Sequence, residues 1–359
     1  MHHTSARRVI GWLLEGSGIG HRGLALSAAA GLGDASVEAV QLRELALTSS
    51  AALACHVVPP CHAPLNNTPL PINERQLCQQ ICPEIIARPA NVGLKIASLS
   101  AFVRLWSHVS ADERARLRST LIDTLTAIEA PPASQLSAEQ LREWQRSLPT
   151  MLGDVDSNKL ADLRSIIDHT DPQLVYRALS ERLMSGADLG MLFRVVSSLA
   201  IRVRLSRRDQ QCRLHHVILG AIAGEELVKH APPDQMATIL AQLVHQIWWC
   251  RHHANLEPLP ASGTDPGLRY AQAVTSGDAL LACRAARAAS KNPEQFWHDS
   301  WEIMESMLTT RRAGWPEALT TLVAMAWRTG HNMVAPDDAG LLGMVFCDPI
   351  CQGAQTIAG

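Results

Sequence analysis

The chain has 359 residues, of which 47% are apolar and 18% charged, and its formal net charge is −2. This composition excludes a disordered polymer, and the charge gives no global field to draw the chain to nucleic acid or to an anionic membrane. The length suffices for one large domain or two of ordinary size, each with a core of its own.

The opening MHHTSARRVIGWLLEG places two arginines before a short apolar run. That run ends at Glu15 without a small-residue cleavage site, so no secretory signal is expected. No window reaches the roughly 18 uninterrupted apolar residues of a membrane span. Nine cysteines, an odd number, then point to reduced thiols and a cytoplasmic location rather than a disulfide framework. The following GSGIGHRG has glycines but neither a strand pattern before it nor a Gly-Lys-Ser, so it is not a phosphate loop. Its His21 opens a run of very small residues.

Residues 55–82, CHVVPPCHAPLNNTPLPINERQLCQQIC, hold four cysteines and two histidines. Thiolate sulfur is a soft ligand, so Cys55, Cys61, Cys78 and Cys82 form a candidate zinc set. Their spacing matches no standard site, and Cys-x2-Cys knuckles are absent. Cys78 and Cys82 stand four residues apart, which puts both sulfurs on one face of a helix. The same geometry suits buried cysteines acting as small hydrophobes. The proline-rich excursion continues to Pro89.

Helical punctuation follows. Ser110 and Glu113 form a capping box before Leu117, Leu121, Leu125 and Ile128, which share one face. A second proline-rich break, APPAS, covers residues 130–134. Ser137 and Gln140 repeat the box before Leu141, Trp144 and Leu148. Asp171-Pro172 reads as a cap with proline at the first helical position. Leu189, Leu192, Phe193, Val196, Leu199, Ala200 and Val203 keep helical spacing. So do Met236, Ile239, Leu240, Leu243, Val244, Ile247 and Trp248. A third break, NLEPLPASGTDPG, spans 255–267, and Asn292-Pro293 repeats the cap-and-proline signal. Near the end, Cys347-x3-Cys351 lies in what reads as a mobile tail. These signals predict an all-α protein, a multi-helix bundle or helical-repeat array without significant sheet. Its regions are 1–130, with the excursion at 55–89, and 131–359, unless the chain forms one continuous domain.

His21, the pair His215-His216 and His298 stand out among the fifteen histidines. His215 and His216 begin an apolar, small-residue helix, and His298 lies between Trp297 and Trp301. Singly, each reads as a core histidine satisfied by a hydrogen bond. Together, imidazoles from separate helices can converge on one metal. Glu225, Glu226, Asp299 and Glu302 are nearby acids able to ligate it or to orient its ligands, and Glu225 and Glu226 could equally form a solvated face.

The segment RLHHVILGAIAGEELVKHAPPDQMATILAQLVHQIWW resembles the questin oxidase family of helical oxygenases. It also resembles the helical domain carried by some bacterial Rieske-type proteins. GDALLACRAARAASKNPEQFWHDSWEIMESML resembles the segment that follows in the family, and GHRGLALSAAAGLG its N-terminal His-Gly segment. The resemblance implies an oxygenase that cleaves polycyclic aromatic substrates with dioxygen at histidine-bound Fe(II). It would carry ligand roles onto His21, His215 and His298, with His216 and His169 as further candidates. Trp248, Trp249, Trp297 and Trp301 would then stack on a flat substrate, or else fill the core. The chain departs from the family at Val217-Ile218, where Val-Thr is frequent, and at Trp301, where lysine is frequent. A non-catalytic helical scaffold binding a protein partner and a zinc-stabilised helical protein remain the alternatives. No nucleic acid or membrane partner is expected.

Overall fold

The computed structural model describes residues 7, 10–11, 69–127, 136, 139–140, 167–168, 171–206, 214–253, 267–310, 312, 314–329 and 333–347. Among the described residues there are twelve helices and no strand, as the helical spacing predicts. No helix among them is long and apolar enough to cross a membrane. Two compact units result. One comprises Cys61–Ser107 and Leu121–Pro258, the other Met1–Pro60, His108–Thr120 and Leu259–Gly359. Residues 121 to 258 stay together, so the break at 130–134 separates no units, whereas the division after Pro258 falls inside the third proline-rich break.

The first of these, here the polar-core unit, holds α1 (Glu74–Ala87), α2 (Val92–Trp106), α4 (Pro172–Met184), α5 (Leu189–Leu205), α6 (Leu214–Leu227) and α7 (Pro233–His253). The division between the units falls within α3 (Ala111–Ala127).

Caps set the helix starts. The Asn73 side chain accepts from Gln76 N at 2.9 Å to begin α1. Asp171 accepts from Gln173 N at 2.9 Å to begin α4, with Pro172 in its first turn. Asp188 accepts from Gly190 N at 2.8 Å to begin α5. Each satisfies a backbone donor that the helix itself cannot. The excursion read as reaching Pro89 therefore contains a full helix from Glu74. Pro83 sits inside that helix and removes the donor for the Gln79 carbonyl. Both residues lie on its exposed face, where water can take the donor's place.

Every residue of α7 from Met236 to Trp248 is buried. This helix packs against α1, α2, α4, α5 and α6. Glycines set the closest crossings around it. A Cβ on Gly220 of α6 would fall within 2.7 Å of the Gly93 carbonyl oxygen on α2, and one on Gly224 would overlap the Phe193 ring of α5. Only a missing side chain lets these backbones approach so closely.

The second, here the apolar-core unit, contains α8 (Tyr270–Thr275), α9 (Ala279–Ala289), α10 (Pro293–Thr309), α11 (Trp315–Thr329) and α12 (Pro336–Cys347). Asp278 and Asn292 cap α9 and α10 as the sequence signals predict for Asn292-Pro293. Ser110 donates its N–H at 2.9 Å and its hydroxyl at 2.7 Å to Glu113 at the start of α3, which gives the Glu113-to-backbone half of the predicted box. All of α12 from Asp338 to Cys347 is buried. A Cβ on Gly343 would overlap the Ala282 carbonyl, so α12 lies directly on α9. Cys347 is therefore not part of a loose tail; it ends α12, and its thiol donates to the Val274 carbonyl at 3.5 Å.

Candidate functional site

The histidines singled out in the sequence have individual fates. His21 and His169 lie outside the described residues. His216 is half-buried, and its Nδ1 pairs with Asn91 Oδ1 at 3.1 Å. Asn91 itself is buried and left-handed (φ 49°) at the entry to α2, so this bond helps fix that entry. His215 is half-buried beside it, with ring centroids 6.2 Å apart. His298 is 54% exposed on α10, and its Nε2 faces Glu302 at 3.4 Å across one helical turn. His215 belongs to the polar-core unit and His298 to the apolar-core unit. With His21 outside the described residues and the other two histidines in separate units, the described residues do not bear on a shared donor set of His21, His215 and His298. Among the described residues, no group of three or more His, Cys, Asp and Glu side chains is placed to hold a metal ion.

The nearby acids are committed to other partners. Glu226 accepts from Arg104 at 2.7 Å and from the Ser100 hydroxyl at 2.6 Å, tying α6 to α2. Glu225 pairs with Arg194 of α5. Asp299 is buried and accepts from Gln295 at 2.6 Å. Neither Glu225 nor Glu226 is simply a solvated face.

Cys78 and Cys82 are buried on one face of α1, while Cys55 and Cys61 lie outside the described residues. Burial pushes the Cys78 thiol up to about 12 and raises Cys82 as well. Both are protonated at neutral pH and pack as small hydrophobes. Lys95 is also buried, and its Nζ donates to the Arg88 carbonyl at 2.6 Å, at the C-terminal end of α1. Burial lowers its pKa to about 8.

Trp248, Trp297 and Trp301 are all buried, Trp248 in the polar-core unit and the other two on α10. Trp297 meets Phe296 edge-on at 5.3 Å.

The unusual chemistry lies elsewhere, along α7. Thr238, Gln242, His245 and Gln246 are all buried in the middle of this central helix. Thr238 returns its hydroxyl to the Asp234 carbonyl at 2.9 Å, and Gln242 accepts from Leu136 N at 3.2 Å. His245 Nδ1 forms a hydrogen bond with the phenol of Tyr176 on α4. Burial raises the Tyr176 pKa, so the phenol keeps its proton at neutral pH. The O–H is then the donor and Nδ1 the acceptor, which places the neutral imidazole's own proton on Nε2.

Rings continue from this bond as a column. Tyr176 and His245 have centroids 5.8 Å apart, His245 stacks on Trp248 at 5.7 Å and 24°, and Trp248 meets His252 at 5.2 Å. The steps of three and four residues put all three α7 rings on one face. His252 closes the column through Nε2 and the Ile167 carbonyl at 3.0 Å.

Sequence reasoning passed over His245 because it sits inside a run already explained by its apolar neighbours. The available signal was a histidine, two glutamines and a threonine in the middle of a helix with no charge between Asp234 and Arg251. Tyr176 lies 69 residues away, so no local pattern links the pair. Compared with protein-family models, curated proteins and solved structures, the chain finds no match.

Proposed function

We propose that the chain is an oxidoreductase acting on an aromatic small molecule, with the polar column of α7 as its working centre. The observation that carries this reading is the Tyr176–His245 hydrogen bond in the middle of a buried helix. A buried polar network costs free energy unless every member is paired, and apolar side chains would fill the same space with no such demand. Imidazole also changes its protonation state near neutral pH, which a purely structural filler does not need to do.

The roles follow from the groups present. His245 accepts a proton through Tyr176, as the removal of a ring-hydroxyl proton from the substrate requires. Losing that proton makes an aromatic ring electron-rich towards dioxygen. Trp248, Gln242 and Gln246 are the aromatic and amide groups buried beside this pair on α7.

Oxygen uptake with a hydroxyanthraquinone tests the proposal, measured with and without added Fe(II). The expected result is substrate-dependent uptake that falls by about 100-fold or more in His245→Leu, the range of a lost general base. Uptake unchanged by that substitution, or no binding and no uptake with hydroxylated aromatics, contradicts it and favours a protein-binding scaffold. The scaffold reading draws its support from Trp327 and Met333, large apolar side chains exposed in the apolar-core unit.

A further inference from the structure

The chain contains two tyrosines, Tyr176 and Tyr270, and they stand in opposite surroundings. Tyr270 is fully buried, stacked on Phe296 at 5.5 Å and 5°, with Phe346 at 6.4 Å. Its hydroxyl faces Ser300, an alcohol, and burial above all, with Cys347, Asp299 and Cys283 nearby, disfavours a phenolate. Tyr176 instead donates to an imidazole nitrogen. The difference decides which phenol can lose an electron. A phenol radical cation is a very strong acid, so one-electron oxidation of a buried tyrosine is feasible only if the proton has somewhere to go at the same moment. His245 Nδ1 is such a place, whereas an alcohol is not.

We propose that Tyr176 is a redox-active tyrosine, with His245 as its proton acceptor and Trp248 as the relay that passes its electron to a high-potential oxidised metal complex. The inference deepens the oxidoreductase reading by naming the group that carries the electron. The oxidant takes one electron from the Trp248 indole and leaves an indole radical cation. Tyr176 supplies the replacement electron, and its O–H proton moves to His245 Nδ1. The products are a neutral tyrosyl radical, an imidazolium and restored Trp248, with the oxidant reduced by one electron. Charge and protons balance without another reactant. The direction is downhill because a hydrogen-bonded phenol is easier to oxidise, with loss of its proton, than an indole. His245 lies against both partners, with ring centroids at 5.8 Å to Tyr176 and 5.7 Å to Trp248.

The test is flash–quench oxidation of the full chain by photogenerated ruthenium(III) tris-bipyridine, with freeze-quench electron paramagnetic resonance as the readout. The expected signal is a tyrosyl radical in the parent protein. It persists in Tyr270→Phe and disappears in Tyr176→Phe, while tryptophan radicals remain detectable. In His245→Leu the tyrosyl yield falls by about 10-fold or more. A tyrosyl signal that survives Tyr176→Phe, that is lost with Tyr270→Phe, or that keeps its full yield in His245→Leu overturns the inference, as does the absence of any tyrosyl signal in the folded parent. Circular dichroism on each variant separates loss of the radical from loss of the fold. The measurement uses no substrate and no dioxygen. A tyrosyl signal without substrate-dependent oxygen uptake therefore sinks the aromatic-substrate reading and leaves the redox tyrosine, and the reverse pattern does the opposite.

Discussion

Two central helices, α7 in the polar-core unit and α12 in the apolar-core unit, solve burial in different ways. Both are enclosed on all sides, α7 from Met236 to Trp248 and α12 from Asp338 to Cys347. The charges of α12 are confined to its first turn. There Asp338 pairs with Arg328 of α11, and Asp337 accepts from Arg287 of α9 at 2.8 Å. Carboxylates at that end also complement the helix dipole, so the placement explains itself structurally. Beyond that turn α12 is apolar or glycine to its final cysteine. Helix α7 carries its polar groups mid-span, where no backbone donor or acceptor of the helix lacks a partner. Polar groups at a helix end complete the fold; polar groups in the middle of a buried helix need another reason, and the Tyr176–His245 column supplies one.

The largest effect that would sharpen this contrast comes from the ion pair of α12. Arg328→Met leaves the Asp338 carboxylate buried without its main partner, and the expected loss is about 3–5 kcal/mol of unfolding free energy at pH 7. Burial, only partly offset by Arg328, already raises the Asp338 pKa, so the loss should shrink in acid as the carboxyl protonates. Urea unfolding at several pH values measures both effects. Next come the helix crossings. Gly220→Ala on α6 and Gly343→Ala on α12 each force backbones apart, and each should cost roughly 1–3 kcal/mol. A thermal shift near zero for either would show that the crossings are looser than the glycines indicate.

Glu317 gives a smaller effect with a defined pH dependence. It is buried in the first turn of α11, and burial raises its carboxyl to about 7. The folded state therefore holds this proton more tightly than the unfolded chain. Stability from this group is complete below the unfolded value near 4.5 and declines as pH rises through about 7. Glu317→Gln should raise stability by about 1–3 kcal/mol at pH 8 and leave it unchanged near pH 4. A gain equal at both pH values would assign the effect to packing instead of charge.

The smallest expected effect is at His298. It is exposed, and its contact with Glu302 is a surface pair within one turn. His298→Ala should change unfolding free energy by less than about 0.5 kcal/mol. A larger loss would mean that this side chain does more than its surface position indicates.

Much of the architecture was legible because it depends on local chemistry. The seven apolar positions named between Leu189 and Val203 are all buried, and so are the seven between Met236 and Trp248. Asp171, Asn292 and the Ser110–Glu113 pair act where their side chains predicted. The site was not legible, for two geometric reasons. First, helical spacing marks the apolar stripe but does not reveal whether the opposite face is covered. Thr238, Gln242 and His245 look like the wet side of an amphipathic helix, and they are buried only because neighbouring helices close over α7. Second, adjacency in sequence misled at His298. Trp297 and Trp301 share one face of α10 and turn inward, while His298 and Glu302, one position on, turn together toward water. In the excursion at 55–89 the Cys78–Cys82 spacing fits one helical face, but the prolines hide the full extent of α1, because Pro83 occupies an exposed face that tolerates the lost bond.

The claim that the α7 column serves chemistry rather than stability is tested most directly by urea unfolding of the double variant Tyr176→Phe/His245→Leu. Removing both partners leaves no polar atom of the pair stranded. The account predicts an unfolding free energy within about 1 kcal/mol of the parent. A loss of about 3 kcal/mol or more would make the column a structural network and contradict it.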